Sequence, residues 1–452
     1  MKNLINKPIG LIPAGLCLAC ALLANNNATA GLSTWDPQGT TGSTPYTGNM
    51  SGTWENASWS TAAGQAAQAV PVNWVENNAA VFAANSGLGT PAFTVTMNAN
   101  HTVAGIFNGP LNPDPCPVTI TGTGIMTVPS GEQGFYVTSN AGDPGSIIIN
   151  TVMAGSGIIT AQGSGTLGLY GVNTLTGGIE LGYSGASFNG IVGFNNSASF
   201  GTGLINMLNG SGSALVAQGT SAITIPNNFA NNTAGATLNV VGNTAGVTFS
   251  GPWSLGANAL SVGSGGAAGN LVKISGVVSG TAGLTKFNPG ILALTAVNTY
   301  TGPTTITAGK LQLGIANAVA SSSSLIMGGG TLDPAGFHHV MASTTLGLTA
   351  SSTIDFVAGA SELDFANSSG LTWTGVLNLA NWNPALDKLR IGTDLTGLTT
   401  AQLADIEVNG AYLGTAEINS SGYISFVPEP TTALLGLLGG LGVMWIVRRR
   451  TA

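Results

Sequence analysis

Between Gly31 and Val427 the chain is built from short runs in which apolar positions alternate with Thr, Ser, Asn or Lys. Each run is brief and ends in Gly, Asn or Pro, and no window of eleven or more residues shows the i, i+3, i+4 apolar spacing of an amphipathic helix. Such runs predict many short β-strands joined by tight turns. Representative runs are 118–121, 237–241, 247–249 and 310–313.

The chain also repeats itself. Residues 165–177 and 290–302 are identical at eight of thirteen positions, at a constant offset of 125 residues. Residues 325–336 add another strand, glycine corner and strand. A recurring unit of this kind cannot bury its apolar face alone, so we expect successive units to stack.

This pattern resembles the autotransporter-associated β-strand repeat, with the strongest match over 283–314. The resemblance implies an all-β fold, a right-handed parallel β-helix (a solenoid) with N- and C-terminal caps. Its coils would share one continuous core, and glycine would take corners that need a positive φ.

Charge is scarce, because Lys and Arg number 10 and Asp and Glu number 17 among 452 residues. The isoelectric point is near 4.8 and the body has no basic patch, which argues against nucleic-acid binding. Residues 181–272 contain no charged residue and no histidine. Uncharged Thr, Ser and Asn can stack in register on neighbouring coils, whereas like charges in register would repel.

The N-terminus has the layout of a secretory signal peptide. Lys2 and Lys7 precede an apolar stretch over 9–23, and the segment closes with Ala28-Thr29-Ala30. We therefore predict that signal peptidase cleaves between Ala30 and Gly31, so that residues 1–30 are removed on export.

The C-terminus predicts a membrane segment. Fifteen uncharged residues, 433–447, are followed by three arginines. Fifteen helical residues are short for a bilayer, but snorkelling arginines permit a short transmembrane helix with its cations on the cytoplasmic side.

This tail resembles the PEP-CTERM sorting signal, whose parts here are Pro428, Glu429 and Pro430, the apolar segment, and Arg448, Arg449 and Arg450. The resemblance implies recognition by exosortase, a membrane-embedded cysteine transpeptidase, in a Gram-negative cell that makes exopolysaccharide. The chain would sit in the inner membrane before delivery to the cell surface or extracellular matrix. In autotransporters a C-terminal outer-membrane barrel follows the repeats. The sorting signal takes that place here, so we do not expect self-export.

Aromatic residues mark the predicted caps. Four of the eight tryptophans, Trp35, Trp54, Trp59 and Trp74, lie in residues 31–110, which we interpret as a hydrophobic N-terminal cap. The alternative is that Trp54, Trp59 and Trp74 contact carbohydrate by stacking on sugar rings. Residues 371–426 form the closing cap, in which Thr399 with Gln402 predicts a short helix. The repeats occupy 111–370 and the sorting signal 427–452.

Catalytic and metal-binding chemistry is sparse in the sequence. His338 and His339 are adjacent, and adjacent strand residues face opposite ways, which argues against their binding one metal ion together. We interpret these two histidines and His101 as surface loop histidines. We therefore predict no metal site and no cofactor. Glu362 and Asp364 share one strand face, where Asp355 can join them, and paired carboxylates serve glycosidases.

The body holds only five basic residues, too few to bind a uronate chain for a lyase. We therefore assign no catalytic residue and expect a non-enzymatic, exported surface or matrix β-helix protein that is structural or adhesin-like. The alternative is a carbohydrate-binding or polysaccharide-cleaving β-helix, and exopolysaccharide is the expected partner in either case.

Overall fold

The computed structural model describes residues 31–427, except for 36–49, 57–58, 61–72, 83–91, 109–116, 140–144, 183–189, 209–210, 266–268, 321–323, 358 and 411–414. The chain divides into two compact units, Met1–Leu260 and Ser261–Ala452. Strand β25 (Leu260–Gly265) crosses the division. Each unit is described by itself.

The first unit is a succession of short strands. They are β1 (Leu32–Trp35), β2 (Gly52–Thr53), β3 (Trp59–Ser60), β4 (Ala79–Phe82), β5 (Phe93–Thr96), β6 (His101–Thr102), β7 (Ile106–Asn108), β8 (Pro117–Thr121), β9 (Ile125–Thr127), β10 (Glu132–Val137), β11 (Ser146–Ile149), β12 (Val152–Gly155), β13 (Ile158–Gly163), β14 (Thr166–Leu169), β15 (Thr174–Leu175), β16 (Gly178–Leu181), β17 (Ile191–Phe194), β18 (Leu204–Met207), β19 (Ser211–Ala217), β20 (Ile223–Ile225), β21 (Phe229–Asn231), β22 (Ala236–Val241), β23 (Val247–Phe249) and β24 (Trp253–Ser254).

These strands form long parallel sheets in which each strand pairs with strands of the preceding and following turns of the chain. One sheet runs β3-β1-β4-β7-β10-β13-β16-β18-β21-β24, and a second runs β2-β5-β8-β11-β14-β17-β19-β22. Strands β6, β9, β12 and β15 make a third sheet. Among the described pairs of this unit, only β1 with β3 is antiparallel. The predicted cap, 31–110, thus shares its sheets with the segment that follows it.

The core of this unit is an in-register column of aliphatic side chains. Alternation along each strand sends every second side chain inward, as the burial of β8 and β10 shows. The inward residues of successive strands then pair directly, and those of the column given next are at most 1% exposed. One such column is Val118, Ile147, Leu167, Val192, Leu215 and Val240.

Glycine makes close coil-to-coil contact possible. Gly155 ends β12 with φ of +108°, and a Cβ there would lie 2.2 Å from the carbonyl oxygen of Val128 on the previous turn. A side chain is therefore excluded by both conformation and space, as the sequence predicts for corner glycines.

The second unit repeats this arrangement. Its strands are β26 (Leu271–Ile274), β27 (Val278–Ser279), β28 (Leu284–Phe287), β29 (Ile291–Leu294), β30 (Thr304–Ile306), β31 (Lys310–Leu313), β32 (Leu325–Gly328), β33 (Thr331–Asp333), β34 (His338–Met341), β35 (Leu346–Ala350), β36 (Ser352–Asp355), β37 (Glu362–Phe365), β38 (Leu377–Ala380), β39 (Lys388–Ile391), β40 (Ile406–Val408), β41 (Thr415–Ile418) and β42 (Ile424–Val427).

Three parallel sheets organise the second unit: β28-β30-β32-β35, β26-β29-β31-β33-β36-β38-β40 and β34-β37-β39. The antiparallel pair β41-β42 comes last in the described chain. A second aliphatic column, at most 3% exposed, runs through Val272, Leu292, Leu311, Leu332, Ile354, Leu379 and Val408.

Helix α1 (Thr400–Ala404) lies within the predicted closing cap and begins where the sequence indicates. The Thr399 hydroxyl accepts a hydrogen bond from Gln402 N at 3.2 Å, and Gln402 Oε1 accepts one from Thr399 N at 2.7 Å. This is the predicted capping box. Gln402 is also buried and donates to two carbonyl oxygens, those of Ser368 and Leu371.

The prediction of an all-β chain is confirmed, and the long parallel sheets of each unit are consistent with a β-helix. Within the described part of the chain, no helix has both the length and the apolar character needed to span a bilayer. The predicted transmembrane helix over 433–447 lies outside the described residues. The domain boundaries at 110, 370 and 426 stay predictions.

Candidate functional site

Among the residues that the structure describes, a dense group of chemically functional side chains lies on the β34-β37-β39 sheet of the second unit. The parallel register places His338 beside Glu362 and Glu362 beside Lys388. Two residues further along, Asp364 pairs with Arg390. A central acidic strand therefore lies between two strands that carry basic side chains.

Strand alternation gives this sheet two different faces. His339, Leu363 and Leu389 are fully buried on the inner face, whereas His338 and Lys388 are exposed. The prediction that adjacent His338 and His339 face opposite ways is confirmed. Their interpretation as surface loop histidines is wrong, because both lie in β34 and the ring of His339 is inside.

The outward side chains are in close contact. The Nε2 of His338 lies 3.1 Å from Asp364 Oδ2 and 3.9 Å from Glu362 Oε2. Arg390 Nη2 donates to the same Asp364 oxygen at 2.7 Å. One ligating atom from each of His338, Glu362 and Asp364 lies within 4.8 Å of the others, which is the spacing of a small metal site.

Tyr423 comes from the chain segment just before β42 and completes the group. Its hydroxyl donates to Glu362 Oε1 at 2.9 Å, and its ring centroid lies 5.8 Å from the Arg390 guanidinium. The hydrogen bond to Glu362 raises the pKa of the Tyr423 phenol above its usual value. Similarly, the hydrogen bond to Asp364 raises the pKa of Arg390. Both contacts hold the carboxylates in fixed positions.

The Asp364 carboxylate is the most confined member of the group, because the residue is only 3% exposed. Its Oδ2 contacts Arg390 and His338, but its Oδ1 is buried and has no hydrogen-bond partner. A buried carboxylate oxygen without a donor is costly, so a partner for it would stabilise the group.

A cavity of about 550 Å³ opens beside Tyr423. Its lining includes Trp382, Asn409 and Phe426, together with Lys388 of the sheet. The indole Nε1 of Trp382 is buried and has no hydrogen-bond partner. An aromatic lining with a few polar side chains is a typical feature of a small-ligand pocket.

Asp355 does not join the two carboxylates, contrary to expectation. It lies in β36 of a different sheet, where its Oδ2 is 2.8 Å from Lys310 Nζ. Asp333 lies 3.6 Å from the same ammonium and is almost completely buried. Burial alone would lower the pKa of Lys310, but the two carboxylates raise it above its usual value.

The other histidines have structural contacts. His339 Nδ1 accepts from Asn317 N at 3.2 Å, so its Nε2 carries the proton that faces Pro334 O at 3.1 Å. Burial lowers the pKa of His339. In the first unit, His101 lies in β6 with Glu76 at 2.7 Å from Nδ1 and Glu55 at 3.6 Å from Nε2, on opposite sides of the ring.

The tryptophans proposed to stack on sugar are inside the first unit. Trp54 and Trp59 are 0% exposed and Trp74 is 8% exposed. The ring centroids of Trp54 and Trp59 are 4.7 Å apart, and Trp74 lies 5.0 Å from Trp54. Stacking on a sugar needs an exposed ring face, and these indoles instead pack on each other and on Phe82. The structure therefore corrects the carbohydrate-contact expectation, because the ring faces are covered.

The predicted processing residues mostly lie outside the described residues. These are Ala28 and Ala30 at the cleavage site, and Pro428, Glu429, Pro430, Arg448, Arg449 and Arg450 of the sorting signal. Gly31 is described, is exposed, and accepts a hydrogen bond from Ala79 N at 2.9 Å. Cleavage and sorting stay predictions.

The sequence singles out Glu362 and Asp364 as a carboxylate pair, but it does not show which residues contact them. His338 and Arg390 each lie 26 residues from Asp364, one before it and one after it. A basic residue 26 residues before and another 26 residues after Asp364, about one coil length each way, is the sequence pattern that could have indicated these contacts.

Comparison with known proteins supports the repeat. A family profile described as passenger-associated-transport-repeat (PATR) matches residues 284–313, the chain from β28 to β31. The chain is similar to the adhesin BmaC autotransporter of Brucella suis biovar 1 (strain 1330), with 32% identity over 227 residues. That similarity covers 42% of this chain and 6% of the relative, so the chain spans only a small part of the relative's length. No solved structure matches. The predicted resemblance to an autotransporter-associated repeat is thereby confirmed.

Proposed function

We propose that this chain is an exported, non-enzymatic β-helix protein that acts at the cell surface or in the extracellular matrix as an adhesin or structural element. The observation that carries the proposal is the repeat match over 284–313, which coincides with consecutive parallel strands of a stacked core. The similarity to an autotransporter adhesin supports the same role. In this proposal the β-helix is right-handed and presents its loops and outward strand faces to a partner.

The proposal includes the route to the surface. Signal peptidase would cleave before Gly31, and an exosortase-like transpeptidase would recognise Pro428, Glu429 and Pro430 while the C-terminal helix holds the chain in the inner membrane. Exopolysaccharide is then the partner that the chain would meet outside the cell.

A surface-exposure experiment tests the proposal. Intact cells producing the full chain are treated with a protease that cannot enter them, and the chain is followed with an antibody against residues 261–427. We expect cleavage of the chain on intact cells and adhesion of those cells to a polysaccharide-coated surface. A triple alanine variant at 428–430 should keep the chain in the membrane fraction. Full protection of the unchanged chain on intact cells would contradict a surface role.

The second candidate is a carbohydrate-binding or polysaccharide-cleaving protein, and the adjacent carboxylates of Glu362 and Asp364 are the observation that favours it. A glycan array and a reducing-end assay on the full chain separate the two candidates. Turnover that is lost in Glu362→Gln would favour the enzyme, whereas the adhesin predicts adhesion that survives this substitution.

A further inference from the structure

The outward face of the β34-β37-β39 sheet brings three different metal-ligating side chains together. We propose that His338, Glu362 and Asp364 bind a divalent transition-metal ion, and that Zn²⁺ matches their chemistry best. One imidazole and two carboxylates are ligands that zinc accepts, and three protein ligands leave a fourth position for water. This site is independent of the proposed surface role.

The spacing of the ligating atoms fits a tetrahedral ion. Bonds of about 2.0–2.2 Å place neighbouring ligand atoms about 3.3–3.6 Å apart. His338 Nε2 is 3.1 Å from Asp364 Oδ2 and 3.9 Å from Glu362 Oε2. Side-chain adjustments of a few tenths of an ångström therefore bring His338 into position with either carboxylate, and the two carboxylate oxygens lie within 4.8 Å of each other.

The unpartnered oxygen of Asp364 is a second, independent observation. Asp364 is 3% exposed, and its Oδ1 has no hydrogen-bond partner although Oδ2 contacts both Arg390 and His338. The carboxylate therefore has unused lone pairs on Oδ1, and the buried Nε of Arg390, whose Nη2 donates to Oδ2, is unpartnered as well. A cation bound by this carboxylate would satisfy those lone pairs. The low local dielectric would strengthen the attraction between the cation and the carboxylate.

Two further residues position the ligands. Tyr423 donates to Glu362 Oε1 at 2.9 Å, which leaves Oε2 toward His338, and Arg390 holds Asp364 at 2.7 Å. Such outer contacts fix ligand orientation in metal sites, and their loss weakens binding by about 10–100-fold. Lys388 is exposed, so solvent screens its charge.

The half-exposed imidazole gives an ion access to the site. The His338 side chain is 50% exposed, whereas Asp364 behind it is 5% exposed. The two carboxylates outweigh the single charge of Arg390, so the site is negative when the imidazole is neutral. An ion can therefore reach His338 from solvent and be drawn toward the buried carboxylate.

His101 in the first unit provides a matched control, because it also contacts two carboxylates. There Glu76 faces Nδ1 and Glu55 faces Nε2, so the acids lie on opposite sides of the ring and cannot share one ion. Glu55 and Glu76 also accept hydrogen bonds from main-chain N–H groups, as in a turn cap. His101→Asn should therefore leave metal binding unchanged.

The test uses the full purified chain, first made metal-free with a chelator and then titrated with Zn²⁺ in a calorimeter. We expect one equivalent to bind, with binding weakened at least tenfold in His338→Asn and unchanged in His101→Asn. Tyr423→Phe should weaken binding by about tenfold, since it removes only the orienting hydrogen bond. Equal Zn²⁺ binding by the unchanged chain and His338→Asn, or no binding by the unchanged chain, would overturn the proposal.

Cobalt provides a spectroscopic readout that a structural role for these residues would not change. Co²⁺ bound in a tetrahedral N/O site gives stronger visible absorption than the hydrated ion. We expect this spectrum in the unchanged chain and its loss in Glu362→Gln, a variant that keeps shape and hydrogen-bonding capacity. Far-UV circular dichroism of each variant confirms that the fold is retained. A hydrated-ion spectrum in the unchanged chain would count against the site.

Discussion

Asn298 connects Val278 and Ala318 across three successive turns of the chain: its Oδ1 accepts from Val278 N at 2.7 Å and its Nδ2 donates to Ala318 O at 2.6 Å. Asn173 does the same in the first unit, with main-chain groups 20 residues before it and 26 residues after it. The two asparagines occupy equivalent positions of the internal repeat. The repeated asparagine therefore has a physical role, since one buried amide satisfies main-chain groups on both neighbouring coils.

Replacing the Asn298 amide should lower the free energy of unfolding. Asn298→Leu leaves a buried N–H and a buried carbonyl without their partner, and each such group costs about 1–3 kcal/mol. We expect the free energy of unfolding to fall by about 2–4 kcal/mol in urea titrations of the full chain. Thr299→Leu changes the exposed neighbour and should stay within about 0.5 kcal/mol of the unchanged chain. Equal stability of the two variants would refute the bridging role.

The ion pair of Lys310 with Asp355 also connects distant parts of the second unit, 45 residues apart. Lys310→Met leaves Asp333 and Asp355 side by side without their cation. We expect the free energy of unfolding to fall by about 1–2 kcal/mol. This is less than for a fully buried ion pair, because 27% of the Lys310 side chain is still exposed. Lys273→Met is the control, since Lys273 forms no ion pair with any described residue. The melting temperatures of both variants are measured by thermal unfolding. Similar melting temperatures would show that the ion pair does not stabilise the chain.

We expect Lys286 to make the stability of the second unit depend on pH. Its side chain is buried, and its ammonium donates to the carbonyl oxygens of Phe287, Asn288 and Ala308. Burial lowers the pKa of Lys286 from 10.5 to about 8. The folded chain therefore binds fewer protons than the unfolded chain between these values, so the unfolding free energy rises with pH across this window.

The contribution of Lys286 is measured as the difference in unfolding free energy between the unchanged chain and Lys286→Met at two pH values. Urea titrations at pH 7.5 and 9.5 should show the unchanged chain gaining stability relative to Lys286→Met, with about 1.4 kcal/mol per pH unit as the upper limit. Staying below pH 10 avoids Tyr300, since burial raises the pKa of that phenol to about 12 and its effect has the opposite sign. A pH-independent difference between the two chains would show that Lys286 does not titrate in this range.

The tryptophan cluster of the first unit should stabilise the fold as part of the hydrophobic core and be shielded from solvent. Trp59→Ala removes a fully buried indole that contacts Trp35 and Trp74 at ring distances of 5.0 and 4.7 Å. We expect a loss of about 3–5 kcal/mol and a reduced near-UV circular dichroism signal. Leu395→Ala, at a side chain 60% exposed, should change little. Acrylamide that quenches the cluster as strongly as free tryptophan would show that the rings are accessible.

Local features of the fold were readable from sequence because they depend on neighbouring residues. The predicted run 310–313 is strand β31. Thr399 and Gln402 form the predicted capping box of helix α1. Alternation also separated the inner and outer faces of His338 and His339 correctly. In each case the deciding interactions lie within a few residues, so one segment contains the whole signal.

The candidate site depends on contacts between coils, which the sequence alone does not align. Hydrogen-bonded partners on neighbouring turns are separated by 20 residues at Asn173 and by 27 at Asn231, because loops of different length join the strands. The register that places His338 next to Glu362 is therefore not visible before the fold is known. For the same reason Asp355 could be assigned to the wrong carboxylate group.

The alternating charges of the β34-β37-β39 sheet carry a further consequence. Glu362 and Asp364 lie on the middle strand, with His338 on one side and Lys388 and Arg390 on the other. Exchanging the last two strands would bring His338 beside Lys388 and leave the acidic pair with a basic neighbour on one side only. These few charges therefore favour the observed order of the three strands over the exchanged one.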